Sequence, residues 1–364
     1  MGDNMTVSIG NIFQDQLQAQ QLQQVQNHSK SNDTRIQSMT YNIRTDGGDG
    51  TWEQRKDNVL AIIEGVNTSA HRDNGQSIGQ NDFVGIQEAE TPYQWNDILK
   101  GMESKGYKLV PQGDCYSSQG NMLFYNPNKV KLQNSGMFHV KAVNIDPKNG
   151  KDNIRREAVW GHFQMLDPNT HQPTGQDMYA FTSHFPRWTE ASLQQVSDKI
   201  HDVMGTDSHD IPVVFMGDLN DKNYDHNGRP SYDSDGAFDW RGYKDSYEMT
   251  NPDDRGTTDH AKGWGKQSSH REDIIFAGDV DWDNPNNSTD IIHWTPGGKR
   301  SPSDHYAVVS DLYFKNPNSS ETQAAAKAPA RLEDVAGLTS ELANVGQLDG
   351  EQNPFGQNNE SELF

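Results

Sequence analysis

Short apolar runs separated by polar punctuation dominate the middle of the chain. Residues 36–43 (IQSMTYNI), 83–87 (FVGIQ), 121–125 (NMLFY), 157–165, 178–184 (MYAFTSH), 212–217 (PVVFMG) and 306–314 read as strands. Elsewhere the period changes. Val59, Ile62, Ile63 and Val66 fall on one helical face, and Leu193, Val196, Ile200 and Val203 make another. The mixture predicts an α/β protein with a mixed sheet or sheets. No internal sequence repeat stands out.

The ends of the chain differ from its middle. Residues 11–26 include eight glutamines, and Ser/Asn-rich sequence follows. We read 1–35 as a flexible polar arm, 36–315 as the folded domain, and 316–364 as an acidic Ala/Asn/Gln-rich tail. The formal net charge is -21, of which -6 lies on 316–364 and -1 on 1–35, leaving -14 on the domain. Broad attraction to nucleic acid or an anionic membrane is therefore not expected, although a local site or a bound metal could hold a phosphate. No run of 18 apolar residues suggests a transmembrane segment. The N-terminus lacks the basic-then-apolar order of a secretory signal peptide, so cytoplasmic residence or export by another route is the expectation. A single cysteine, Cys115, excludes an intramolecular disulfide framework.

Several strand-like runs end in a residue able to do chemistry: Asn42, Glu88, His184, and Asp218 with Asn220. In α/β folds, sites gather at the carboxyl ends of strands. Each residue alone has a local explanation, because Asn42 could bond its own backbone, Gly217-Asp218 could begin a turn and Ser303-Asp304 could cap a helix. Together they supply the carboxylates, amides and imidazoles that metal-assisted hydrolysis uses.

The ordered series Met39-Thr40-Tyr41-Asn42-Ile43-Arg44, Gly85-Ile86-Gln87-Glu88, Thr182-Ser183-His184, Gly217-Asp218-Leu219-Asn220, Glu272-Asp273-Ile274-Ile275-Phe276 and Ser303-Asp304-His305-Tyr306 resembles the endonuclease/exonuclease/phosphatase superfamily. The resemblance spans about residues 36–315. It implies a four-layer α/β sandwich of the deoxyribonuclease I type, with two mixed sheets face to face and helices outside. It also implies a phosphoesterase dependent on Mg²⁺ or Mn²⁺, hard cations that suit carboxylate and phosphate oxygens. Glu88 would be the principal metal ligand, with Asn42 and Asp304 completing the metal and phosphate surroundings. Asp218 would orient or deprotonate the attacking water. Asn220 would share its side if the strand continues, and would hold the water or a phosphoryl oxygen. His305 and Asp273 resemble the family's imidazole–carboxylate pair, the carboxylate fixing the ring and favouring its charged form. Either His305 or Asp218 could be the formal base. His184 would hold phosphate or protonate the departing oxygen, and Arg156 resembles a phosphate-contacting arginine, with Arg155 its neighbouring rival.

Departures narrow the substrate. Ser269-His270-Arg271-Glu272-Asp273 replaces the Pro-Ala-Trp-Cys-Asp-Arg signature of inositol 5-phosphatases, and Phe185-Pro186-Arg187 follows His184 where many relatives have Leu-Asp-His. Asn42-Ile43-Arg44 followed by Trp52-Glu53-Gln54-Arg55-Lys56 looks most like a bacterial branch of metal-dependent hydrolases, and Thr258 and His260 fit the same branch. Asn223–Gly228 resembles the start of an EF-hand, but position 12 is Ser234, so a solvated acidic loop is expected and a weak structural Ca²⁺ site is its rival. The expected substrate carries its phosphate on a small molecule, nucleotide or lipid headgroup. A deoxyribonuclease-like endonuclease acting on nucleic acid is the alternative, and a catalytically silent binding protein is the alternative of another class. No partner protein is implied.

Overall fold

A computed structural model describes residues 34–47, 50–65, 69–143, 153–185, 190–205, 211–220, 242–251, 256–258, 271–294 and 301–315, with the side chains of 142–143, 153–155 and 190–193 excepted. The Asn223–Ser234 loop and His260 lie outside these residues, as do both terminal segments. All described residues belong to Met1–Ser319, the first of two units into which the chain divides.

In chain order the elements are β1 (Thr34–Asn42), α1 (Trp52–Glu64), β2 (Phe83–Gln87), α2 (Pro92–Ser104), β3 (Lys108–Leu109), β4 (Met122–Tyr125), β5 (Val130–Val143) and β6 (Asn153–Leu166). Then follow β7 (Pro173–His184), α3 (Glu190–Met204), β8 (Val213–Asp218), β9 (Lys244–Asp245), α4 (Ser246–Thr250), β10 (Asp273–Gly278), β11 (Ser288–Ile292) and β12 (Ala307–Phe314). One six-stranded sheet runs β11-β12-β1-β2-β4-β3, and the other runs β5-β6-β7-β8-β10-β9. Each holds one parallel pair, β1 with β2 and β7 with β8, among antiparallel neighbours. A parallel pair needs a crossover connection. That joining β1 to β2 carries α1, and that joining β7 to β8 carries α3.

Alternation within the strands sorts side chains into layers. Phe83, Leu123, Val159, Phe163, Met216, Ile275 and Val308 are buried between the sheets, where the Phe83 and Phe163 rings meet edge-to-face at 5.0 Å. Each such side chain stabilises the fold by roughly 1.5–3 kcal/mol. Met39, Tyr41, Val84 and Ile86 face outward, beneath Val59, Ile62 and Ile63 of α1 and Ile98 and Met102 of α2. Phe181, Phe215 and Phe276 face outward from the second sheet, under Val196 and Ile200 of α3. The result is the four-layer sandwich that the resemblance implied.

The expected strands are all present, but several elements were not anticipated: α2, α4, β3, β5, β9, β10 and β11. Strand β5 (VKLQNSGMFHVKAV) is an edge strand with a register shift between Leu132 and Asn134, so its first half shows no clean alternation. Helix α2 does carry start signals, with Thr91 as N-cap accepting the Gln94 N–H and Pro92 in the first turn.

Candidate active site

The carboxyl ends of the two parallel pairs meet, and the site lies there. In the first sheet Asn42 stands beside Gln87, one residue before Glu88, and in the second His184 stands beside Asp218. Asp273, the first residue of β10, is paired with Asp218. His305 forms an isolated bridge with Thr258 just before β12. Two glycines permit this closeness. A Cβ on Gly85 would lie 2.5 Å from Thr182 Oγ1 on the facing sheet, and one on Gly217 would lie 2.0 Å from the Ser183 carbonyl oxygen.

Asp218 is the hub. Its Oδ2 accepts Asn42 Nδ2 at 2.7 Å and lies 3.5 Å from His184 Nε2 and 3.7 Å from His305 Nε2. Its Oδ1 accepts the Asn220 N–H at 2.9 Å. Burial opposes ionisation of Asp218, but His184, His305, Asn42 and the Asn220 N–H outweigh it and hold the carboxyl below its usual range. On the far side of His305, Nδ1 meets Asp273 Oδ2 at 2.7 Å. Burial disfavours the imidazolium, yet Asp273 and Asp218 raise the His305 pKa well above that of a free imidazole. Thr257 Oγ1 fixes the backbone here by accepting the N–H groups of Glu272 and Asp273.

Glu88 carries its carboxylate on a left-handed residue, with φ 63°. Its Oε1 accepts Asn42 Nδ2 at 2.9 Å and its Oε2 accepts the Thr45 N–H at 2.9 Å. Arg44 and Asn220 are also left-handed, at φ 60° and 50°. Such non-glycine backbone costs energy and gathers at functional sites. Strand β8 stops at Asp218, so Asn220 does not continue its alternation: its N–H turns back to Asp218 and its Nδ2 donates to the Phe185 carbonyl at 2.8 Å. Asn42 likewise makes its local bond, Oδ1 accepting the Arg44 N–H at 2.9 Å. The local and the clustered roles therefore coexist in the same side chains.

Oxygen-rich donors suited to a hard cation converge here. Glu88, His184 and Asp218 present ligand atoms within 4.8 Å of one another, and so do Asp218, Asp273 and His305. His184 Nδ1 and Asp273 Oδ1 are buried without a hydrogen-bond partner, which is the condition a ligand or ion relieves. This donor set fits Mg²⁺ or Mn²⁺. Asp304 stands at the rim instead, its Oδ2 3.7 Å from Arg44 Nε and its Oδ1 3.3 Å from Ser303 Oγ. Asn42 meets Glu88 as a donor. Arg156 lies on β6 with its Nε buried and unpartnered, and no hydrogen bond ties it to the cluster.

Three supporting groups escaped the sequence reading. Gln87 Nε2 donates to Thr182 Oγ1 at 2.9 Å across the sheets, while Thr40 Oγ1 donates to Gln87 Oε1 at 3.2 Å. Ser303 Oγ donates to the Asn42 carbonyl at 2.7 Å. Asn121 Nδ2 and Ser183 Oγ both donate to the Glu157 carbonyl. A polar residue at an inward position beside an inter-sheet glycine was the available signal for Gln87.

Comparison with known proteins agrees with this fold. Residues 39–305 match the model of the Endonuclease/Exonuclease/phosphatase family. Among solved structures, an endonuclease/exonuclease/phosphatase family protein from Bacteroides thetaiotaomicron is 20% identical, covering 78% of this chain and 99% of its own, with a TM-score of 0.53. A mannosyl-6-phosphatase from Bacteroides thetaiotaomicron VPI-5482 is 21% identical, covering 77% and 100%, with a TM-score of 0.52. The catalytic domain of human nocturnin, with a bound sulfate anion, is 17% identical, covering 79% and 99%, with a TM-score of 0.50. No curated protein matches the chain in sequence.

Proposed function

The chain belongs to the Endonuclease/Exonuclease/phosphatase family, whose members are phosphoric ester hydrolases, and from that premise we propose a divalent-metal-dependent phosphoesterase that acts by in-line attack of water. The observation that carries this reading is the hub at Asp218, where carboxylates from both sheets converge with two imidazoles. Glu88 would hold the cation, with Asn42 and Asp304 completing its surroundings. When bound, the cation neutralises phosphate charge and stabilises the leaving oxygen.

The remaining work falls to the chain. Asp218, held ionised, orients the attacking water and accepts its proton, while His305, held in its charged form, stabilises the negative charge that develops. Asp273 fixes the His305 ring through Nδ1 and leaves Nε2 facing the reaction centre. His184, whose Nε2 lies 3.5 Å from Asp218 Oδ2, would hold a phosphoryl oxygen or protonate the leaving oxygen. Asn220 holds the phosphate or the water, and Arg156 supplies a phosphate contact. The acidity of the chain, -21 overall, favours a phosphate on a small molecule, nucleotide or lipid headgroup over a polyanionic polymer.

The test is incubation of the purified chain with Mg²⁺, Mn²⁺ or EDTA against sugar phosphates, nucleotides, phosphoinositides, RNA and plasmid DNA, with Asp218→Asn as control. Metal-dependent phosphate release from a small or lipid substrate is expected. Plasmid nicking that needs metal and Asp218 would replace this reading with an endonuclease.

A further inference from the structure

Arg55 of α1 reaches the site from behind and touches no candidate catalytic side chain. Its guanidinium is spread over main-chain carbonyls of two separate segments. Nη1 donates to the Ile43 carbonyl and, at 3.2 Å, to that of Pro302; Nη2 donates to the Arg44 carbonyl and, at 3.2 Å, to that of Thr45. The first segment carries Asn42 and the Thr45 N–H that holds Glu88. The second leads directly into Ser303, Asp304 and His305, and Ser303 bonds back to the Asn42 carbonyl. One planar cation thus joins the Glu88 end of the site to the His305 end.

The arrangement around Arg55 is built rather than incidental. The guanidinium lies 5.4 Å from the ring of Trp52, which is fully buried. The Trp52 N–H donates to Asp46 Oδ1 at 2.8 Å, so the start of α1 is fastened to the same turn. The segment under the clamp contains Arg44 in the left-handed region, a backbone state that persists only where its surroundings impose it. A lysine could not reproduce the contact, because an ammonium cannot span four carbonyls in one plane.

We propose that Arg55 is a positioning residue which, by gripping Ile43–Thr45 and Pro302 together, sets the separation between Glu88 and the Asp304–His305 segment. This inference rests on the phosphoesterase reading for its consequence, but not for its geometry. The test uses the full chain as wild type, Arg55→Lys and Arg55→Ala, with Mn²⁺ as the probe in isothermal titration. Loss of such outer support weakens metal binding by about 10–100-fold, and this is expected for Arg55→Ala. Low-millimolar guanidinium added to Arg55→Ala should restore part of the affinity, a rescue that a general packing defect would not show. Arg55→Lys should fold, yet remain well short of wild type.

Hydrogen–deuterium exchange separates failure of this inference from failure of the functional reading. Arg55→Ala, or Arg55→Lys if the alanine variant does not fold, should speed exchange at 42–45 and 301–305 while strands β7 and β8 stay protected. If wild type binds no Mn²⁺ but these segments loosen, the metal reading falls and the clamp stands. Unchanged exchange, or variants that bind Mn²⁺ as wild type does, would overturn the clamp.

Discussion

Strand β1 has a polar cluster at each end, and the two are built on opposite electrostatic plans. Near its beginning, Arg72 bridges Asp290 at 2.6 Å and Asp311 at 2.7 Å, while Arg35 donates to Asp311 and to Gln37. Guanidinium meets carboxylate, and the forks are filled. At its carboxyl end, Glu88, Asp218, Asp273 and Asp304 crowd around Asn42, His184 and His305, with Arg44 only at the edge beside Asp304. A cluster that served stability alone would be matched like the first. The second holds its surplus of carboxylates through the His305 imidazole, whose pKa those carboxylates raise, and through neutral amides, and it suits an added cation.

The sharpest way to break the contrast is at the hub. Asp218→Asn should lower turnover on the substrate identified by the panel by roughly 10²–10⁴-fold, and EDTA should abolish wild-type turnover until Mg²⁺ or Mn²⁺ is restored. At the matched end, Arg72→Met should leave turnover per folded molecule unchanged. It should cost about 3–4 kcal/mol in urea unfolding, the lower part of the range for broken buried pairs because Arg35 still faces Asp311.

Asp82 sharpens the comparison, being the matched end's one misfit. It accepts the Gln37 N–H at 2.9 Å, and burial, partly offset by that bond, pushes its pKa up to about 6. A carboxyl raised in the folded state favours folding below its unfolded pKa and loses that advantage as pH rises through the folded one. Asp82→Asn should therefore raise stability at pH 8 by no more than about 3 kcal/mol, with the gain vanishing near pH 4. The smallest effect lies between the two ends. Thr182→Val, which removes the acceptor of Gln87 across the sheets, should cost about 1 kcal/mol in stability, and a larger loss would show that the sheets depend on this bond for their spacing.

Much of the architecture could be read from particular residues. Buried strands such as Phe83–Gln87 are continuous apolar runs, and the polar residue that ends each of them is conspicuous against that background. The edge strand β5 and the two-residue strands β3 and β9 have no such contrast, because β5 shifts register and the other two are too short to show a period. Distance along the chain hid the supporting groups. Nothing local marks Ser303 as a donor to the Asn42 carbonyl, since 261 residues separate them. Arg55 was visible only as one letter of a resemblance, and its grip on four carbonyls exists only after Pro302 has been brought to Ile43. The turn at Asn220 misled for another reason: alternation assumes a strand that continues, and β8 ends two residues too early.

Strands β1 and β12, the first and last of the described fold, are antiparallel neighbours from Thr34↔Phe314 to Thr40↔Val308. During synthesis the ribosome must therefore release nearly the whole domain before the first sheet can close, and Asp304 and His305 arrive just ahead of the closing strand. A nascent or truncated polypeptide ending before Ser303 would leave β1 with an open edge and would lack Asp304 and His305. For a hydrolase of phosphate esters, that order ties completion of the site to completion of the sheet.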